Sequence, residues 1–252
     1  MRYRVRHITE YLYGAPVTLC YNMAHLLPRD TRNQRCLSRR ILVSPTPVYQ
    51  TEGEDYYGNP TFYFSVQEPH KKLAIDVECY FEIEQNDLSS QLNLHGLTCG
   101  ELRQQLMHAD TPELRMAKEF TLDSTHIHRT AELADYGRSC FTDDTSVLQA
   151  SMDFTHKIFE EFAFDPTATS VSTPPEQVLE EKRGVCQDFA HLAIACIRSL
   201  GLPARYMSGY LETLPPPGQE KLVGADASNA LLGNVVALIR WRHTRLRHHL
   251  VK

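Results

Sequence analysis

The sequence predicts an α+β chain: an N-terminal antiparallel β-sandwich over residues 1–85, then a domain rich in helix over 98–252. Three observations carry this. Leu73, Ile75, Val77, Cys79, Phe81 and Ile83 alternate with residues that include Lys72, Asp76, Glu78 and Glu82, the period of two that a half-buried strand needs. Several short runs of this kind are separated by glycine and proline turn signals, the pattern of a sandwich. Further on, Ala190, Leu192, Ala193, Ile194, Ala195, Cys196, Ile197 and Leu200 form one mostly apolar helical run.

Taken in order, Tyr3, Val5 and His7 alternate with Arg2, Arg4 and Arg6, which makes a first strand. Gly14-Ala15-Pro16 is expected to break it. Ile41-Leu42-Val43 is a short strand ended by Pro45-Thr46-Pro47, and Tyr57-Gly58-Asn59-Pro60 is a turn before Phe62, Phe64 and Val66. Glu84 to Leu97 has no clean period and reads as the connection between domains. Thr111-Pro112-Glu113 starts a helix, with proline tolerated in the first turn. Thr145 or Ser146 caps another, whose Leu148, Met152, Thr155, Phe159 and Phe162 share a broad face. Thr173-Pro174-Pro175-Glu176 begins a short helix through Glu181 that delivers the chain to Gly184. The last helix is closed by Gly201, with Pro203 forbidding continuation.

The chemistry concentrates where that helix begins. Arg183-Gly184-Val185-Cys186-Gln187-Asp188-Phe189-Ala190 places Cys186 in its first turn. The thiolate is the nucleophile, and unsatisfied N–H groups with the positive end of the macrodipole favour negative charge there. A free thiol titrates near ~8.5, and such sites lower it to roughly 3.5–7.5. With Arg183 beside it, Cys186 is expected to be the most reactive of the seven thiols. For Cys196, deeper in the same helix, packing is one of the readings that stay open. Asp188 lies in the first turn, where capping is its expected role; its charge opposes the thiolate.

Three segments carry a resemblance to a known family. Thr173 to Leu179, Gly184 to Ala190 and Ser199-Leu200-Gly201-Leu202-Pro203-Ala204-Arg205-Tyr206-Met207-Ser208-Gly209-Tyr210-Leu211 are similar to the bacterial transglutaminase-like family. Tyr3-Arg4-Val5 to Tyr13, Leu27-Pro28-Arg29-Asp30 and Tyr57-Gly58-Asn59 resemble the β-rich domain preceding its core in many bacterial members. The resemblance implies a papain-like transglutaminase core, in which a nucleophilic cysteine opens a helix packed on a sheet that carries histidine and aspartate. It implies acyl transfer or hydrolysis at amide bonds of a protein or peptide substrate, with Cys186 catalytic and no cofactor.

That resemblance ends at Ser228. The family continues into a strand carrying His-Ala-Trp and later an Asp-Pro pair; here the chain continues Asn229-Ala230-Leu231. Asn229 stands where the general base is expected, and no Asp or Glu follows Asp226. The core is therefore expected to be incomplete at its C-terminal end, with an unpaired strand edge. Val235 to Ile239 could add one short strand, and the basic run Arg240 to His249 does not resemble the family. An abrupt loss of this kind is what a reading-frame change produces. The alternative to an enzyme is a catalytically inactive binding module, or a truncated or frameshifted product.

Other residues and the composition narrow the choice. His191 follows Cys186 by five positions, about 140° around the helix, so it is not expected to be the base. His126, His128 and His156 approach the thiol only through tertiary folding. His243, His248 and His249 have no carboxylate or thiol nearby in sequence for a metal site. A net charge of −5 gives no reason to expect nucleic acid or an anionic membrane as partner. Seven scattered cysteines without a CxxC argue against a zinc ribbon and a disulfide framework, and point to a reducing cytoplasm. The N-terminus lacks the apolar stretch of a signal peptide, and no apolar run is of membrane-spanning length.

Overall fold

A computed structural model of the chain describes residues 1–31, 33–84, 97–170 and 172–210, together with the backbone of a strand at Asn229–Asn234. The strands up to Ile83 form one unit, and the elements from Leu97 onward form another. The proposed connection falls largely on residues 85–96, outside the described residues.

Six strands build the first unit: β1 (Arg2–Val17), β2 (Cys20–Ala24), β3 (Gln34–Ser44), β4 (Tyr49–Glu54), β5 (Pro60–Val66) and β6 (His70–Ile83). They make two three-stranded antiparallel sheets, ordered β1-β6-β3 and β2-β5-β4. The alternation in β6 has the expected effect, because Leu73, Ile75, Val77, Cys79 and Phe81 are all buried. Phe62, Phe64 and Val66 form the buried row of β5. On the other face of β6, Asp76 pairs with Arg6 at 2.6 Å and Glu78 with Arg4. These pairs are exposed on the arginine side, so they add little to stability.

One break is corrected. Gly14-Ala15-Pro16 does not end β1, which runs on to Val17 with a register shift against β6 between Leu12 and Val17. An irregularity absorbs a proline that cannot donate to the ladder. The turn expected at Tyr57 to Pro60 forms two residues earlier, over Asp55 to Asn59, with Pro60 opening β5. Asp55 Oδ1 accepts the N–H groups of Tyr57 and Asn59, both at 2.8 Å, and Gly58 takes φ +73°, where a side chain would be strained.

The second unit holds α1 (Cys99–His108), α2 (Pro112–Glu119), α3 (Ala131–Arg138), α4 (Val147–Glu161), α5 (Pro175–Glu181) and α6 (Cys186–Ser199). Sequence reading missed α1 and α3. The signal for α1 was present as Thr98-x-x-Glu101, a capping box: Thr98 Oγ1 accepts from Glu101 N–H and the Glu101 carboxylate accepts from Thr98 N–H. Thr130 caps α3 in a single direction, accepting from Leu133 N–H at 3.3 Å.

The face assigned to α4 is corrected in part, since of its residues Phe162 is buried in the core. Met152 is 55% and Phe159 52% exposed, while Val147, Ala150, Ser151, Phe154 and Ile158 are buried. The buried stripe belongs to the cluster around α6, where Leu192 to Ile197 are each no more than 1% exposed. Burial of each large aliphatic side chain contributes roughly 1.5–3 kcal/mol. Beyond α6, Gly201 at φ +72° reverses the chain into β9 (Ala204–Gly209). No helix of the described residues is long and apolar enough to cross a membrane.

The tail takes one edge of β9. Strand β10 (Asn229–Asn234) pairs antiparallel along it, Asn229 opposite Gly209 and Asn234 opposite Ala204. Among the described residues the sheet stays two-stranded, β10-β9, with its outer edges open as expected. Ladder hydrogen bonds are made by the backbone, so this pairing does not depend on the side chains that the tail carries. Val235 to Ile239 and the basic run lie outside the described residues.

Candidate active site

Cys186 is the first residue of α6 and is half-buried. The approach to it is built from α5 and two short strands, β7 (Ala163–Phe164) and β8 (Arg183–Gly184), which pair in parallel. Lys182, in the left-handed region at φ 54°, ends α5 and turns the chain into β8.

The turn into α6 is held by Asp188. Its Oδ2 accepts the Val185 N–H at 2.7 Å and the Thr169 hydroxyl at 2.6 Å, and the residue is 4% exposed. The capping role read from sequence is the role it has. Gly184 is required by the same contact, since a Cβ there would stand 2.7 Å from Asp188 Oδ2.

The electrostatics of the thiol differ from the expectation. Burial pushes the Cys186 thiol up, its own backbone amide pulls it down by less, and the Asp188 carboxylate adds to the rise. The net direction is upward, so the helix start alone does not hold a thiolate at rest. Arg183, expected beside the thiol, is turned elsewhere: its Nε lies 3.2 Å from Glu181 and its Nη1 4.0 Å from Asp165. Among the described residues no imidazole is hydrogen-bonded to Cys186. Cys196 is fully buried and its thiol is pushed far up by desolvation, which decides for packing. Cys79 and Cys99 are pushed up to about 11 by burial.

The histidines separate into distinct places. His156 lies 3.1 Å from Glu160 along α4, and His128 lies 4.0 Å from Asp123. His243, His248 and His249 are outside the described residues. His126 and His191 do come together, their rings stacked at 5.5 Å with an interplanar angle of 11°. The Tyr206 ring of β9 lies 5.4 Å from that of His191. This group was not read from sequence; His126 is 65 positions from His191, and no local pattern joins them.

The same group lines an open cleft of about 470 Å³ beside the start of α6. Gln187, His191, Ile194 and Arg198 form its floor along one helical stripe, with residues 124–127 and Tyr206 as walls. Arg198 ties the wall to the floor, donating from Nη1 to the Leu122 carbonyl at 2.7 Å and from Nε to the Ala204 carbonyl at 2.9 Å. Burial lowers the His191 titration, and the neighbouring His126 lowers it further. Near Cys186, which does not itself line it, the cleft presents the rings of His126, His191 and Tyr206 together with the Arg198 guanidinium. Among the described residues, no group of three or more His, Cys, Asp or Glu side chains is placed to hold a metal ion.

Comparison with known proteins follows the same division. The family model for the bacterial transglutaminase-like N-terminal region matches residues 3–82, and that for the transglutaminase-like superfamily matches 134–243, which includes positions beyond Ser228. An uncharacterized protein of Mycobacterium tuberculosis (strain H37Rv) is 38% identical over 232 residues, covering 91% of this chain and 72% of the relative. An uncharacterized protein of Mycobacterium leprae is 30% identical over 224 residues, covering 88% and 74%. Among solved structures, a protein of Cytophaga hutchinsonii described as a candidate cysteine protease aligns with a TM-score of 0.65 over 95% of this chain and 78% of its own. At 19% identity that likeness shows a shared fold.

Proposed function

This chain belongs to the transglutaminase-like superfamily, and we propose that Cys186 is its nucleophile for acyl transfer or hydrolysis at amide or peptide bonds. The observation that carries this reading is the placement of a half-buried thiol as the first residue of α6, on a turn held by Asp188 and Gly184. In the reaction, the thiol loses its proton to a base and sulfur attacks the substrate carbonyl. The C–N bond then breaks, the amine leaves with a proton, and water or a second amine resolves the thioester. The Cys186 N–H, free of an intrahelical partner at this position, serves the oxyanion. The substrate is a protein or peptide, and seven unbridged thiols fit a reducing, cytoplasmic setting.

Turnover in this chain is proposed to be strongly impaired. The thiol is raised rather than lowered, so it needs a base, and Asn229 stands where the family resemblance places one. An amide side chain cannot accept a proton at neutral pH. This favours the second reading, a non-catalytic binding module or a frameshifted product. Ammonia release from glutamine peptides and peptide hydrolysis should be measured for the native chain, Cys186→Ala and Asn229→His. Slow turnover that vanishes in Cys186→Ala and partly rises in Asn229→His supports the proposal. Robust native turnover, lost in Cys186→Ala, would show that another histidine is the base. Complete inactivity of all three favours the binding reading. Coding DNA after codon 228, read in another frame, should encode His-Ala-Trp and Asp-Pro if the tail is a frameshift; their absence would make the tail a genuine sequence.

A further inference from the structure

The first unit carries a second thiol, with an imidazole already aimed at it. Cys20 Sγ lies 3.8 Å from His70 Nε2, and His70 Nδ1 lies 2.6 Å from the Glu68 carbonyl oxygen. A carbonyl oxygen only accepts, so Nδ1 carries the ring proton. Nε2 of the neutral ring then offers a lone pair, and the thiol is the donor to it. The ring is held in this orientation. His70 is 7% exposed, opens β6 opposite Val17 of β1, and meets the edge of the Tyr13 ring at 5.6 Å. Cys20 opens β2, an outer strand of its sheet, and as a residue is half-buried, so it is not sealed in the core. Among the described residues it is the only one of the seven cysteines with a hydrogen bond to an imidazole. Cys36 donates to the Ser38 carbonyl, and Cys140 lies beside the Ser139 hydroxyl.

We propose that Cys20 and His70 form a nucleophile–base pair, oriented by the Glu68 carbonyl, that makes Cys20 a site of covalent modification by hydroperoxides. In the reaction the Cys20 proton passes to His70 Nε2 while sulfur attacks a peroxide oxygen. The S–O bond forms and the O–O bond breaks. The departing oxygen takes the proton from the ring, giving water from hydrogen peroxide. Sulfur is oxidised by two electrons to the sulfenic acid, and the peroxide is reduced by two. The arrangement has the logic of activated thiols generally, a base within reach of the sulfur and a third group fixing the base. It is independent of Cys186 and of any amide-directed activity.

The test compares peptide-resolved labelling of the full chain near pH 7, folded and in concentrated urea. Hydrogen peroxide with a sulfenic-acid trap and, separately, iodoacetamide are the probes. Burial alone can only slow a thiol, so faster labelling when folded is diagnostic. A free thiol is only a few per cent ionised near neutral pH, which leaves room for about three- to tenfold acceleration. The expected result is that gain at Cys20, with none at Cys36 or Cys140. His70→Gln should remove the gain at Cys20 and leave the rate at Cys186 unchanged. Should that variant not fold, the comparison on the native chain decides alone. The pairing is overturned if Cys20 labels no faster folded than unfolded, if Cys36 and Cys140 share the gain, or if the gain survives in folded His70→Gln.

Discussion

Replacing Asp188 by Asn separates the two things this residue does. Asp188 Oδ2 accepts from the Val185 N–H at 2.7 Å and the Thr169 hydroxyl at 2.6 Å, and its charge also raises the Cys186 thiol. Asn keeps one oxygen acceptor and loses the charge. Hydrogen bonds to a charged group contribute about 1.5–3 kcal/mol, and neutral ones roughly half that. Two bonds thus lose about 2 kcal/mol together, and loss of a first-turn carboxylate adds up to about 1 kcal/mol. The two effects point in opposite directions for the fold and the thiol. The unit containing α6 should melt about 4–8 °C lower, using the smaller figure and about 2–4 °C per kcal/mol. The thiol should move the other way: with the carboxylate gone, one cause of its upward shift is removed, and its apparent pKa should fall. Circular dichroism melting and the pH dependence of Cys186 alkylation read the two separately. A melting change below ~1 °C would refute the argument for the cap. A thiol pKa that stays or rises while the melting point falls would refute the argument that Asp188 opposes the thiolate.

Three further outcomes are expected. Gly184→Ala forces a Cβ to within 2.7 Å of Asp188 Oδ2 and should cost about 1–3 kcal/mol by urea denaturation; a neutral result would mean that the turn relaxes freely. Phe154→Ala, at a fully buried position, should cost about 3–5 kcal/mol, whereas Met152→Ala, at a 55% exposed one, should stay within roughly 0.5 kcal/mol; equal losses would restore the other face of α4 as the core face. Burial lowers His191, so the unfolded chain takes up its proton first, and stability should fall as pH drops through about 6.5 toward the lower folded value. His191→Gln should flatten that part of the stability-versus-pH curve, and an unchanged slope would refute the assignment.

What could be read in advance was what is local. The row Leu73 to Phe81 faces inward because side-chain direction in a strand is set by its neighbours two positions away. The start of α6 was legible because a helix terminus leaves its signature within one turn. The face of α4 was not, because Leu148, Met152 and Phe159 offer an apolar stripe as good as the buried one, and only the contact with α6 decides between them. Arg183 was misplaced for a related reason. Three positions from Cys186 in sequence, it sits on β8 and turns to Glu181 and Asp165. Nucleophiles and bases differ in the same way. A cysteine announces itself by the helix it opens, but its base is supplied by another element whose position depends on register. Cys20 and His70 lie 50 residues apart and meet through the placement of β2 beside the start of β6. No sequence window contains both. Asn229 was singled out only because a family strand could be laid over it, and its place opposite Gly209 is a fact of pairing. Activity measured in Asn229→His therefore tests a register, whereas activity lost in Cys186→Ala tests only a residue.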